Sequence, residues 1–77
     1  MTRTLSTPTP SALRGAIRFT IRRPGCAAWA TGVRADQLRA EWRRAEMRIP
    51  GHVVVVENGP LAGQSFRSPE AALNAVA

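Results

Sequence analysis

Residues 34–49 constrain this chain more than any other stretch, because they hold its one long run of helical period. At about 100° per residue, Ala35, Leu38, Trp42, Ala45 and Ile49 fall within an arc of roughly 80°. Asp36, Arg39, Ala40, Arg43 and Met47 lie opposite. One face is suited to a core and the other to solvent or a partner. The helix is expected over residues 34–48, just after Gly32, and must stop before Pro50, since the residue preceding a proline is pushed out of the α region. A single helix of about four turns cannot bury its apolar stripe alone, so the rest of the chain has to supply a surface for it.

That surface is expected to be a sheet. Residues 15–22, GAIRFTIR, alternate with Ile17, Phe19 and Ile21 on one face and Arg18, Thr20 and Arg22 on the other, the pattern of a half-buried strand. Residues 52–57, HVVVVE, carry valine on both faces and predict a central strand, or one covered on both sides. Asn58-Gly59-Pro60 turns the chain, and residues 61–67 return as a third strand bearing Phe66. Ser68-Pro69-Glu70 is a helix start: a serine N-cap, proline at the first helical position and an acid at the positive end of the dipole. Ala72, Leu73 and Val76 then form an apolar face. The expected fold class is α+β, with a three-stranded, mostly antiparallel sheet, one long helix and one or two short ones. The expected core is Ile17, Phe19, Ile21, Leu38, Trp42, Val53, Val55, Phe66 and Leu73.

Two readings of residues 25–50 remain open. In one, Ala28, Ala30 and Gly32 belong to a short helix over residues 26–31 and a glycine turn, so that short helix, turn and long helix make a helix-turn-helix. In the other, the stretch is a glycine-containing loop leading into an amphipathic core helix. Ala30-Thr31-Gly32-Val33, then Asp36, Leu38-Arg39 and Arg43, closed by Ile49-Pro50, resemble the DNA-binding segment of MerR-type regulators and phage excisionases. The resemblance covers about 26 of the 77 residues. It implies a recognition helix over residues 34–48 with Arg39 and Arg43 touching DNA, and the 58–60 loop would be the wing of a winged helix. The family's first helix begins with an apolar residue, where this chain has Pro24 and Gly25. The wing tip carries neither Arg nor Lys.

At 77 residues there is room for one small domain over residues 13–77, with a thin core that leans on a partner or a second copy, such as a homodimer. Residues 1–12, rich in Ser, Thr and Pro, read as an extended arm. All 11 basic residues are arginine and the net charge is +6. Residues 1–35 hold six arginines and no acid, whereas residues 36–77 hold five arginines against five acids, so the excess lies entirely in the first half. Every cation is a planar fork suited to phosphate or carboxylate. No apolar run approaches the length of a membrane span. One cysteine, Cys26, excludes an intramolecular disulfide, and Cys26 with His52 falls short of a metal ligand set. A cytoplasmic protein without metal or cofactor is expected.

No catalytic constellation is visible: the serines lack a neighbouring base, His52 has no orienting carboxylate nearby in sequence, and no glycine-rich phosphate loop follows a strand. Function is therefore expected from binding, through Arg18, Arg22, Arg34, Arg39, Arg43 and Met47. One expectation is a DNA-binding protein of a phage or other mobile element, excisionase- or regulator-like, with arginines neutralising phosphates of double-stranded DNA. The alternative is a protein-directed inhibitor of an acidic or nucleic-acid-binding host defence complex. Small phage-encoded anti-CRISPR proteins share this compact single-domain character, and Met47, Ala40 and the acids among the helix arginines suit such a partner.

Overall fold

The computed structural model describes residues 15–77; the expected arm over residues 1–12, with Arg3, and Arg14 lie outside them. Strand β1 is Arg18–Arg22 and β2 is Ala28–Arg34; a 3-10 turn, Ala35–Gln37, leads into helix α1, Leu38–Arg48. Strand β3 is Val53–Val56, β4 is Ser65–Phe66, and helix α2 is Pro69–Val76. The four strands form one antiparallel sheet in the order β2-β1-β3-β4, and both helices pack on the same face. The α+β class holds, with a fourth strand added to the expected three.

The added strand replaces both readings of this stretch, the short helix over residues 26–31 and the entry loop. Residues 28–34 instead pair along β1, so the succession of short helix, glycine turn and long helix is not formed. The cause is tertiary: β1 would otherwise present an unpaired edge, and β-prone Trp29, Thr31 and Val33 satisfy it. Gly32, at φ +64°, allows an irregularity in the ladder where Phe19 faces Val33 and Ile21 faces Ala30. The long helix consequently starts at Leu38 rather than near residue 34.

Phe19, Ile21, Leu38, Val54 and Val56 are fully buried, joined by Ile17, Val33, Ala45 and Ala72. Trp42, Phe66, Leu73 and Val76 pack at the margin. The valine parity is the reverse of that expected. Val56 pairs with Phe19 and Val54 with Ile21, which turns Val54 and Val56 toward the helices and leaves Val53 and Val55 half-buried on the open face. A run of four valines cannot announce which alternate pair faces inward; only pairing with β1 does.

Strand β3 is interior, as expected. The Asn58 side chain prolongs its pairing with β1: its Oδ1 accepts from the Arg18 N–H at 2.8 Å and its Nδ2 donates to the Ala16 carbonyl at 3.0 Å. Helix α2 starts as its sequence demands, with Ser68 Oγ accepting from the Ala71 N–H at 3.2 Å and Pro69 in the first turn. The third strand is shorter than residues 61–67, because Leu61–Gly63 form a turn and only Ser65 and Phe66 pair with β3.

Candidate nucleic-acid interface

The six residues singled out from the sequence do not form one site. Arg18 and Arg22 project from the sheet face opposite the helices, because Phe19 and Ile21 between them are buried. Arg34 pairs with Arg18 across the ladder and shares that face. Arg39, Arg43 and Met47 sit on α1, in the other layer. Arg39 is also tied, its Nε 2.8 Å from Glu70 Oε2 on α2, and Arg43 lines a small hollow with Pro69 and Glu70. An α1 groove-reading face built on Arg39 and Arg43 is therefore flanked by α2 and carries an acid beside it.

The open sheet face holds Arg18, Thr20, Arg22 and Arg34 around Val53 and Val55. Its one acid is engaged, since Glu57 Oε2 accepts from Thr20 Oγ1 at 2.6 Å and from the Gly32 N–H at 2.7 Å, bridging β3 to β1 and β2. Arg18 is held down by its own backbone, donating to the carbonyls of Gly15 at 2.7 Å and Ile17 at 3.2 Å. Arg22 donates to the Cys26 carbonyl at 3.3 Å, bracing the β1–β2 turn.

A denser basic group lies at one end of the sheet, where the β1–β2 turn, the end of α1 and the start of β3 meet. Trp29, Arg44, Met47 and Arg48 line an open cleft of about 340 Å³. An adjoining hollow is lined by Pro24, Trp42, Glu46, Gly51, His52, Val53 and Arg67. Arg23 borders it, its Nε 3.9 Å from where a β-carbon on Gly51 would stand. This end thus collects Arg23, Arg44, Arg48 and Arg67. Two acids lie among them: Glu41 pairs with Arg44 at 3.1 Å, and Glu46 is bound by His52, while Arg23, Arg48 and Arg67 make no ion pair among the described residues.

Two features of this end escaped the sequence. The first is an orienting carboxylate for His52, which exists after all: Glu46 Oε2 is 3.0 Å from His52 Nδ1 and accepts from the His52 backbone N–H at 2.7 Å. The His52 N–H, and with it the imidazole, hold the Glu46 carboxyl below the usual carboxylate range against the opposing effect of partial burial. The chain reversal at Pro50-Gly51, with Gly51 at φ +103°, brings the two together. The second is Trp29. Register passes from Ile21 facing Ala30 to Arg22 facing Ala28, leaving Trp29 as an extra, bulged residue that turns toward the helix side. Its ring meets the His52 ring edge-on at 6.3 Å and 77°, and Arg48 Cζ stands over it at 5.8 Å from the centroid.

Among the described residues, no three His, Cys, Asp or Glu side chains converge as a metal site, and no helix is long and apolar enough to cross a membrane. Comparison with protein families, with curated proteins and with solved structures finds no match to this chain.

Proposed function

We propose that this chain is a nucleic-acid-binding protein, with double-stranded DNA the first ligand to test, and that its arginines grip phosphates from the turn end of the sheet. The observation that carries the reading is the gathering of Arg23, Arg44, Arg48 and Arg67 at one end, where Arg23, Arg48 and Arg67 make no ion pair among the described residues. Arginine forks match phosphate oxygens bidentately, and neutralising about four phosphates gives a slope of log K against log salt near −3.6. This differs from a recognition helix in a groove, because α1 contributes the arginines of its last turns rather than Arg39 and Arg43. A cytoplasmic regulator or mobile-element protein remains the biological setting that suits such binding.

The test is a gel-shift series on duplex DNA at two salt concentrations. Arg23→Ala, Arg48→Ala and Arg67→Ala should each weaken binding and flatten the salt slope by about 1. Arg39→Ala, tied to Glu70 and remote from the cluster, should bind like the parent. Equal losses for Arg39→Ala and Arg48→Ala would restore the groove-reading helix.

A second reading, an inhibitor or adaptor that binds a protein, draws on Met47, 79% exposed and lining the cleft with Trp29. Under it, duplex affinity stays in the weak non-specific range, and Met47→Glu abolishes capture of the partner while the arginine variants do not.

A further inference from the structure

We infer that Trp29 is a stacking platform for an unpaired base, so that the ligand class at the turn end is single-stranded or locally opened nucleic acid. The inference rests on the nucleic-acid reading and narrows it.

Trp29 stands apart from the core and remains 38% exposed, whereas the other tryptophan, Trp42, packs against the core. An edge-strand indole outside the core is oriented nonetheless. His52, itself buried, meets it edge-on, and Glu46 holds His52 through two hydrogen bonds of 2.7 and 3.0 Å. The ring is therefore preorganised, which lowers the ordering cost of a ligand that stacks on it.

The surroundings specify that ligand. The cleft beside Trp29 is about 340 Å³, at the small end of ligand sites, which run to about 300–1,000 Å³. Its walls are the thioether of Met47 and the guanidinium groups of Arg44 and Arg48: an apolar, polarizable bed with positive charge at the rim. A nucleobase with its phosphates meets each requirement, a π-face for the indole and anionic oxygens for the arginines. Arg48, lying over the ring in the free protein, swings to the phosphate of the base that displaces it. The cleft is open, so selectivity comes from the stack itself: the indole needs a free base face, and a base stacked in a duplex presents only its edge.

The experiment is tryptophan fluorescence titration of the full chain with short oligothymidylate and oligouridylate, each against a duplex of equal length. An oligonucleotide bearing abasic sites and a polyglutamate of similar length serve as further probes. Both single strands should quench Trp29 and bind more tightly than the abasic strand, and their ratio tells DNA from RNA as the source of the base. Trp29→Ala should lose the quenchable emission and weaken single-strand binding about 5- to 150-fold, the range expected for one lost stack, with the salt slope unchanged. Trp29→Phe should recover most of the affinity. Wild-type affinity in Trp29→Ala, or equal binding of abasic and base-bearing strands, overturns the stacking inference and leaves phosphate binding standing. If polyglutamate quenches Trp29 and neither strand nor duplex binds, the nucleic-acid reading falls with it.

Discussion

Replacing Glu46 by Gln tests the joint between α1 and β3. Glu46 Oε2 receives two hydrogen bonds, from the backbone N–H and Nδ1 of His52, and His52 is only 8% exposed. Bonds to a charged acceptor contribute about 1.5–3 kcal/mol each and neutral ones about 1. Both bonds end on one oxygen and glutamine's neutral oxygen can accept both, so the full loss would be about 1–4 kcal/mol. The Glu46 side chain is 24% exposed, and solvent screening lowers the expected loss to about 1–2 kcal/mol. In a domain of this size that is a fall in Tm of about 5–15 °C. The pH dependence has a definite sign. The folded pKa of Glu46 lies below its ordinary value, so its contribution is fully present above the unfolded carboxylate pKa and is lost as pH falls through the folded one. Thermal melts followed by circular dichroism should therefore separate parent and Glu46→Gln near neutral pH. The two should converge as pH falls through the folded pKa of Glu46 and its carboxylate protonates. Equal melting near neutral pH, or a gap that persists undiminished in acid, would refute the assignment of this stabilisation to the Glu46 charge.

Leu38→Ala, at a fully buried position beneath α1, should cost about 2–5 kcal/mol in chemical denaturation. Trp42→Phe should leave stability near the parent's, because it removes a buried indole N–H that has no partner along with some apolar area. Gly59→Ala combines a φ of +84° with a β-carbon 2.5 Å from Ile17 Cδ1. It should cost at least the roughly 1–2 kcal/mol of left-handed backbone strain, read as a lower midpoint in urea. Arg39→Ala breaks an ion pair whose side chains are 64% and 56% exposed, so its melting temperature should stay close to the parent's.

What the sequence by itself determined are features whose causes lie within a few residues. Ser68-Pro69-Glu70 starts α2 because cap, proline and acid act on one turn. Pro50 ends α1 because it constrains its neighbour directly. The alternation of Ile17, Phe19 and Ile21 requires one buried face whatever covers it, and Leu38 and Ala45 face the core as their spacing demands. Tertiary structure decided whatever depends on a partner distant in the chain. Residues 28–34 could be read as helix or loop, and became strand β2 because β1 offered an edge. Val54 and Val56, rather than Val53 and Val55, entered the core because strand register reverses every side chain on a one-residue shift. The candidate site belongs to this second class. Arg23, Arg44, Arg48 and Arg67 are scattered in sequence and meet only where a turn, a helix end and two strand ends converge. Trp29 joins them because a bulge adds one residue to β2 and turns the indole from the ladder toward α1.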